Sequence, residues 1–364
     1  MDNHIVSIIT PCLNSAKTIR QTIESVLHQT YESIEYIIID GGSEDGTLDI
    51  ISEYETLFTT GLRYISEKDT GIYDAMNKGI GLATGDVIGI INSDDWYEPD
   101  AVERVMECFA KTDADVVYGE LWMIDENGER ASCTSRSIFP PHPSTFIKRE
   151  IYQKYGMFDS NYRIASDREL LLRLMAEKVR FERIGEILAD HRMTGVSAVN
   201  RLVCAGEAYE IDYKYLGKCP DEILNQKDIE ETYERAKMLH ISHKNPEIIR
   251  KVLEKWDISG GIVIFGAGSC GRELESILER CGMQIRFFVD NDSGKWGLER
   301  HGIKIFTPEI LKHFQGHVVV TVSGYYREID EQLQDYKNRR LSWSNLESLR
   351  QIIFEQSADL LKIN

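Results

Sequence analysis

Two adjacent carboxylates, Asp94 and Asp95, follow a short apolar run in the stretch GIINSDDWYEP, residues 89–99. Adjacent carboxylates repel each other, so a turn that only needed polar residues would not require both. A bound divalent cation would neutralise the pair, because hard cations prefer carboxylate oxygens. Alternatively, Asp94 caps a helix that begins near Pro99. The local residues leave both interpretations open.

Further acids stand at the ends of other β-branched runs. Asp40 precedes a glycine pair, and Glu67 and Asp69 follow the run that ends at residue 66. Each acid has an ordinary explanation by itself, since Asp before Gly is typical of turns. Together they indicate more, because only Lys68 and Lys78 could pair with them in these loops. Such a group of acids suits a divalent cation that also binds a diphosphate.

The elements that would position these acids alternate between strand and helix patterns. We predict strands at residues 5–10, 34–40, 62–66 and 86–91, and helices at residues 18–29, 47–57 and 72–83. Apolar strands separated by helices indicate an α/β fold with a parallel sheet covered on both faces. Ligands of such sheets bind beyond the carboxyl ends of the strands, which is where the acids would meet.

The second half of the chain begins with a polar helical pattern and then alternates again. We predict a helical connector at residues 201–257 and a small Rossmann-like α/β domain at residues 258–364. The stretch VIFGAGSCG follows a strand, opens a helix and leads to a strand that ends at Asp290, as in dinucleotide-binding turns. Its glycines are Gly266, Gly268 and Gly271. No Tyr-x-x-x-Lys pattern follows, so we expect an ancillary or binding module.

The 364-residue chain has a formal net charge of −18. We expect no nucleic-acid partner at this charge, because phosphate binding needs a basic face. No apolar run approaches the roughly 20 residues of a membrane span, and the N-terminus lacks the order of a signal peptide. We therefore expect a cytoplasmic protein with at most peripheral contact at the inner face of a membrane. The seven scattered cysteines predict neither disulfides nor a zinc site.

Two long stretches resemble an inverting family 2 glycosyltransferase of the GT-A fold. The first is VSIITPCLNSAKTIRQTIESVLHQTYESIEYIIIDGGSEDGT, and the second is SEKDTGIYDAMNKGIGLATGDVIGIINSDDWYEPDAV. The resemblance covers residues 4–200 and rests on several spaced motifs in order. It implies a GT-A glycosyltransferase domain at residues 1–200. The C-terminal domain resembles modules attached to sugar-modifying enzymes, which bind a nucleotide-sugar or serve as a scaffold.

The resemblance implies a nucleotide-binding role for several residues. Asp40 matches the acid that accepts a hydrogen bond from uracil N3–H, and Asp94 matches a position near the ribose and the metal. Arg192 is expected to pair with a phosphate. The other implied residues are Thr10, Pro11 and Asn14 near the base, and Asp69 and Asn77 in the segment that closes over base and ribose.

The resemblance also implies a site for Mn²⁺ or Mg²⁺. Asp95 matches the principal ligand, with Asp94 and His191 completing the metal shell. The order here is Asn-Ser-Asp-Asp rather than Asp-x-Asp, so Asn92 replaces a carboxylate of many relatives. The division of labour between the two acids is therefore open. A lone histidine such as His191 also has a structural interpretation.

Asp167 matches the general base of the family. The usual Glu-Asp pair is Ser166–Asp167 in this chain, and the base is the second member. An acid at the first turn of a helix also has an ordinary explanation, because the helix dipole favours it. On the acceptor side we place His142 and Trp96, for which loop rigidity and core packing are the structural alternatives.

Taken together, the sequence predicts a metal-dependent inverting glycosyltransferase. It would move a sugar from a nucleotide-sugar, expected to be a UDP-sugar, to a hydroxyl of a glycan or lipid-linked acceptor in bacterial-type surface polysaccharide synthesis. One alternative is a nucleotide-sugar oxidoreductase that acts through the GAGSCG loop. Another is a nucleotide-binding sensor without catalysis, against which the presence of Asp94, Asp95 and Asp167 argues.

Overall fold

Two compact units make up the chain, residues 1–229 and residues 230–364. The computed structural model describes residues 4–58, 61–125, 128–134, 139–193, 201–230 and 261–320, with short pieces at 232–233, 236–237, 247, 250, 329, 331–334 and 339–342. Within these residues, no helix has both the length and the apolar character needed to cross a membrane.

The first half of unit 1 is a parallel α/β arrangement. Its elements are β1 (Val6–Cys12), α1 (Ile19–Leu27), β2 (Ile34–Asp40), α2 (Thr47–Glu53), β3 (Leu62–Ser66), α3 (Ile72–Leu82) and β4 (Val87–Ile90). The strands pair in parallel in the order β3-β2-β1-β4. The predicted parallel sheet is confirmed, and the acid-bearing loops follow its carboxyl ends.

The second half of unit 1 extends this sheet with antiparallel pairs. Its elements are β5 (Trp96–Tyr97), α4 (Ala101–Lys111), β6 (Val116–Ile124), β7 (Arg130–Cys133), β8 (Thr145–Lys148), α5 (Arg149–Tyr155), α6 (Ser166–Ala176) and β9 (Phe181–Arg192). The order continues from β4 as β8-β6-β9-β5, and β7 pairs with β6. β8 runs antiparallel to β4, whereas β6 and β9 are parallel.

Isoleucines bury both faces of the parallel sheet. Ile8 and Ile38 pack in the core on one face, and Ile9, Ile37 and Ile39 pack in the core on the other. Successive side chains of a strand point to opposite faces, so a continuous isoleucine run requires cover on both sides. Each of these side chains is 0% exposed, and burying one is worth about 1.5–3 kcal/mol. The loops that carry the acids therefore start from a well-packed sheet.

A further helix, α7 (Arg201–Tyr215), belongs to the same unit. It packs against α6 through a small apolar core that includes Leu172, Ile211 and Tyr215. The sequence prediction ended the glycosyltransferase domain at residue 200 and assigned 201–257 to a connector. In the structure α7 is part of the unit that carries the acids.

Unit 2 contains a second sheet. Its elements are β10 (Ile262–Phe265), α8 (Ser269–Arg280), β11 (Ile285–Val289), β12 (Glu299–Arg300), β13 (Ile303–Phe306), β14 (His317–Val320) and β15 (Arg339–Ser342). The order is β12-β13-β11-β10-β14-β15, and all pairs except β12–β13 are parallel. Numbered along the chain, the parallel strands run 3-2-1-4-5, the order of a Rossmann-type sheet. Residues 343–364 of the predicted domain lie outside the described residues.

Candidate active site

The loop between β4 and β5 holds the two adjacent acids in different environments. The Asp95 side chain is 0% exposed. Its carboxylate accepts hydrogen bonds from the Arg192 backbone N–H at 2.9 Å and from the Asn92 amide at 3.2 Å, and His191 Nδ1 lies 3.0 Å from Oδ2. Asp94 is only partly buried, and burial together with the Asp95 charge raises the pKa of Asp94 to about 6. Asp95 is therefore an internal group, whereas Asp94 remains accessible.

The alternative in which Asp94 caps the following helix is wrong. α4 begins at Ala101, and Asp100 occupies its N-cap position. The residues directly after the acids form β5, which pairs with β9 so that Trp96 lies opposite Asp190. This pairing brings the C-terminal end of β9 against the acid loop.

His191 and Arg192, at the end of β9, form hydrogen bonds to the acid loop, the β4–β5 loop that carries Asp94 and Asp95. Burial acts to lower the pKa of His191, but the hydrogen bond and charge of Asp95 outweigh burial, and the pKa is raised. The Arg192 guanidinium donates to the Asp94 carbonyl oxygen at 3.0 Å and lies 4.8 Å from the centre of the Trp96 ring. In this structure Arg192 therefore positions the loop that carries the acids.

Asp40, the last residue of β2, is buried against the loop that follows this strand. Its Oδ2 accepts from the backbone N–H groups of Gly42 and Ser43 at 3.0 and 2.9 Å and from the Ser66 hydroxyl at 2.6 Å. Its Oδ1 accepts from the Ser43 hydroxyl and, at 3.6 Å, from the Cys12 thiol. Burial acts to raise the pKa of Asp40, but the hydrogen bonds outweigh it and lower the pKa. A carboxylate offers about four lone pairs, so these donors leave no acceptor for uracil N3–H.

Asp69 lies over the same loop and is partly exposed. A Cβ atom at Gly41 would lie 2.5 Å from Asp69 Oδ2, so the Asp69 carboxylate occupies the space of a side chain at that position. Oδ1 accepts from the Gly71 backbone N–H at 3.0 Å. Asp69 thus keeps acceptor capacity at the position where Asp40 has none.

The first strand is longer than predicted and contains two of the predicted nucleotide-side residues. Thr10 and Pro11 are buried within β1, and the Thr10 hydroxyl lies 3.0 Å from the Tyr36 hydroxyl. Asn14 follows in the left-handed region with a φ of 51°, and its side chain accepts from the Glu44 backbone N–H at 3.0 Å. Of these three residues, only Asn14 is exposed.

Asn77, on α3, bonds to the main chain rather than presenting its amide to solvent. Its Nδ2 donates to the Phe158 carbonyl oxygen at 2.9 Å, and its Oδ1 accepts from the Phe158 N–H at 3.0 Å. Both polar atoms are engaged, so Asn77 holds the loop before α6 against α3.

Asp167 lies in the first turn of α6 and is partly exposed. The Tyr73 hydroxyl, from α3, is 2.9 Å from Asp167 Oδ1 and 2.6 Å from the Ile164 carbonyl oxygen. With one hydrogen, it donates to one of these acceptors at a time. The Ser166 hydroxyl is buried without a hydrogen-bond partner among the described residues. Asp167 is therefore the group at this position that can accept a proton.

His142 lies within electrostatic range of both Asp167 and Asp95. Burial lowers the pKa of His142, and the negative charges of these two acids oppose the decrease. The ring also lies 5.9 Å from the ring of Phe158. A neutral imidazole therefore stands close to both the acid loop and Asp167 at pH 7.

The residues around the acid loop fit a divalent cation. Asn92 Oδ1 is buried and has no hydrogen-bond partner in the described parts of the chain, and a free amide oxygen is a suitable ligand for a hard cation. His191 contacts Asp95 through Nδ1, which leaves Nε2 as a ligand in the carboxylate–histidine arrangement common at metal sites. Asp95 and His191 are in direct contact, and Asp94 is the accessible carboxylate beside them.

The glycine-rich loop of unit 2 is closely packed. Gly266 has a φ of 110°, and a Cβ at Gly271 would lie 1.9 Å from the Gly266 carbonyl oxygen. Asp290 follows β11 and accepts from the Ala267 N–H at 2.8 Å and from Lys295 Nζ at 3.1 Å. The close approach at Gly271 explains why the loop needs glycine there, and the two hydrogen bonds link Asp290 to the glycine-rich loop and to the loop that follows β11.

Two residues that contact Asp167 or the segment before it were missed from the sequence, Tyr73 and Glu207. Tyr73 lies in a helix where an aromatic residue is normally core, and Glu207 lies in α7, which was assigned to a connector. The Glu207 carboxylate accepts from three backbone N–H groups just before α6. Because Glu207 and α6 are far apart in sequence, no local pattern predicts this contact.

Two protein-family models match the chain, one in each unit. The family model described as glycosyl transferase family 2 matches residues 7–171. A model described as C2185-like, N-terminal, matches residues 258–340. A PGL/p-HBAD biosynthesis glycosyltransferase of Mycobacterium bovis is 34% identical over 176 residues, which are 46% of this chain and 68% of the relative. An uncharacterised glycosyltransferase of Mycobacterium tuberculosis is 32% identical over 210 residues, 53% of this chain and 77% of the relative.

Solved structures of glycosyltransferases share the fold. The mannosyltransferase PcManGT of Pyrobaculum calidifontis, in complex with GDP-Man and Mn²⁺, aligns with a TM-score of 0.54 and 16% identity over 76% of this chain and 85% of that chain. Residues 1–349 of TarS from S. aureus, in complex with UDP-GlcNAc, align with a TM-score of 0.50 and 17% identity over 76% and 82%. At these identities the likeness concerns the fold alone.

Proposed function

The chain belongs to glycosyltransferase family 2, and from that premise we propose that it is a metal-dependent inverting glycosyltransferase with a UDP-sugar donor. We further propose an acceptor hydroxyl on a glycan or lipid-linked saccharide, bacterial-type surface polysaccharide as the product, and a reaction at the cytoplasmic face of a membrane. The acceptor, product and location rest on the family resemblance. The solved neighbours bound to UDP-GlcNAc and to GDP-Man with Mn²⁺ support a nucleotide-sugar donor and a divalent cation.

The observation that carries the proposal is the environment of the acid loop. A partly exposed Asp94 lies next to a buried Asp95 that holds His191, and Asp167 lies close enough to share the electrostatic environment of His142 with Asp95. One acid can thus serve the leaving group while another serves the acceptor. Inverting transfer requires both roles.

We assign the metal to Asp94 and His191 Nε2, with Asp95 behind them. The buried Asp95 carboxylate accepts from His191 Nδ1–H in this assignment, which fixes the ring and leaves Nε2 for the cation. This assignment differs from the sequence expectation that Asp95 is the principal ligand. When bound, Mn²⁺ or Mg²⁺ would stabilise the charge of the departing diphosphate.

Asp167 is the proposed general base. The oxygen of the acceptor hydroxyl attacks the anomeric carbon in line, and the bond from that carbon to the diphosphate breaks. The hydroxyl proton passes to Asp167, and UDP leaves with the bonding electrons. Tyr73, which lies 2.9 Å from Asp167 Oδ1, holds this carboxylate in place.

Base recognition is assigned to Asp69. A carboxylate that accepts from an imino N–H favours uracil over cytosine, which has no hydrogen at N3. Asp69 keeps free acceptor capacity, whereas the donors around Asp40 occupy its carboxylate. Asn14 follows β1 and Arg192 ends β9, and the base and a phosphate are their respective proposed ligands.

Slow hydrolysis of the donor by water tests the proposal without a known acceptor. UDP-N-acetylglucosamine, UDP-glucose, UDP-galactose and GDP-mannose would each be incubated with the protein and Mn²⁺ or EDTA, and release of the nucleoside diphosphate measured. We expect release from at least one UDP-sugar with Mn²⁺ and none with EDTA. Equal release under both conditions, or release from GDP-mannose alone, would contradict the proposal.

A further inference from the structure

We infer that Glu207, on α7, is a positioning residue that orients Asp167 through hydrogen bonds to the backbone of the segment before α6. The inference rests on the proposed role of Asp167 as base. Glu207 lies beyond residue 171, where the match to the glycosyltransferase family ends. The contact therefore adds α7 to the machinery of the reaction.

The Glu207 carboxylate accepts three backbone hydrogen bonds. Glu207 Oε1 accepts from the Arg163 backbone N–H at 2.8 Å, and Oε2 accepts from the N–H groups of Ile164 and Ala165 at 2.9 and 3.0 Å. Hydrogen bonds to an ionised acceptor are roughly twice as strong as neutral ones. Three consecutive peptide groups are thus fixed two residues before the base.

The other side of the same segment is held by Tyr73. Its hydroxyl lies 2.6 Å from the Ile164 carbonyl oxygen and 2.9 Å from Asp167 Oδ1. The backbone of Ile164 thus donates its N–H to Glu207 and accepts at its carbonyl oxygen from Tyr73, which also contacts Asp167. Movement of this peptide would move the contact that orients Asp167.

Two further ion pairs fix α7 against α6. The Arg168 guanidinium forms a two-pronged pair with Asp212, which is 7% exposed. Glu169, which is 2% exposed, accepts from Lys214 at 2.9 Å and from the Tyr215 hydroxyl at 2.6 Å. These ion pairs hold α7 at a fixed distance from α6, and so keep Glu207 within hydrogen-bonding distance of residues 163–165.

Glu207→Gln tests the inference, because the amide has one acceptor oxygen and its NH₂ group would face backbone N–H donors. We expect the turnover number for hydrolysis of the best UDP-sugar of the panel to fall by about 10- to 100-fold, since a misplacement near 1 Å can cost about 100-fold. The Kd for UDP should be unchanged. Glu210→Gln, on an exposed part of the same helix, is the matched control and should have no effect.

A double-mutant cycle separates positioning from general damage. If Glu207 acts through Asp167, Glu207→Gln will not slow Asp167→Asn further, because the group it orients is already lost. A further slowing by the full factor would overturn the inference. Hydrogen exchange at residues 163–165 should accelerate in Glu207→Gln and not in Glu210→Gln, whether or not activity is measurable, and unchanged exchange would also overturn it.

The two proposals fail in different ways. If Asp167→Asn retains wild-type turnover, the proposed base is wrong. If Asp167→Asn is slow but Glu207→Gln is not, only the positioning role is wrong. Glu207→Asp keeps a carboxylate on a side chain one methylene shorter and should recover part of the turnover lost in Glu207→Gln. No recovery would contradict a role for charge-assisted hydrogen bonds from the backbone to this carboxylate.

Discussion

Replacing Asp40 with Asn should destabilise unit 1 rather than change its nucleotide preference. The Asn side chain can still offer one oxygen to the three donors on Oδ2, the N–H groups of Gly42 and Ser43 and the Ser66 hydroxyl. Each bond loses its ionic part, the difference between about 1.5–3 kcal/mol for a charged acceptor and about 1 kcal/mol for a neutral one. Over three bonds that are not fully additive, we expect a loss of about 2–4 kcal/mol.

Thermal and denaturant unfolding measure this loss. A unit of this size loses about 2–4 °C in Tm per kcal/mol, so the Tm should fall by about 5–15 °C. The folded pKa of Asp40 is lowered below its ordinary value of 3.8, so its contribution is fully present above that value and is lost as the pH falls through the folded pKa. The stability difference between wild type and Asp40→Asn should therefore be constant near neutral pH and shrink below about pH 4.

Asp45→Asn is a useful comparison, because Asp45 accepts from two backbone N–H groups but its side chain is exposed. We expect a smaller loss of stability than for Asp40→Asn. If Asp40→Asn has wild-type stability and instead binds CDP as well as UDP, the Asp40 carboxylate reads the base and the structural account of it is wrong.

Three other predictions concern the site. Asp167→Asn should reduce kcat for hydrolysis by about 10²–10⁴-fold with an unchanged Kd for UDP, and loss of less than tenfold would place the base elsewhere, with His142 as the next candidate. Asp69→Asn should reduce the preference for UDP over CDP by about tenfold in competition experiments, because the amide can donate to cytosine N3 as well as accept from uracil N3–H; about 1.4 kcal/mol corresponds to tenfold, and an unchanged ratio would remove Asp69 from base recognition. Asp94→Asn should abolish the gain in UDP affinity that Mn²⁺ produces and leave the Tm near wild type. Asp95→Asn should also lower the Tm, because the Asp95 carboxylate is buried against His191. Equal Tm values for the two variants would contradict the different roles assigned to Asp94 and Asp95.

The parallel half of unit 1 was predictable because its signals are local. Isoleucine runs such as residues 37–39 specify strands that are buried on both faces, and acids directly after them must lie at the carboxyl edge. The antiparallel half was not predictable in the same way. β5 has two residues, and the apolar part of β9 is limited to residues 187–189, because Glu182 and Glu186 occupy exposed positions before it.

The roles of individual acids depended on contacts that the sequence does not display. Asp40 precedes two glycines, which is compatible with an exposed turn, but it is buried and accepts a hydrogen bond from Ser66 of the neighbouring strand. Asp94 and Asp95 are chemically identical neighbours, and only the end of β9 distinguishes them by covering Asp95. The same limitation hid Glu207, whose partners are backbone groups and therefore leave no trace in side-chain chemistry.

Calorimetric titration of UDP into the full chain, with Mn²⁺ and then with EDTA, tests whether nucleotide binding depends on a metal. We expect Mn²⁺ to tighten UDP binding by at least about tenfold, because the cation would link the diphosphate to Asp94 and His191. We also expect Asp94→Asn to bind UDP equally weakly under both conditions. Equal UDP affinity of the wild-type chain with Mn²⁺ and with EDTA would contradict a metal-dependent transferase.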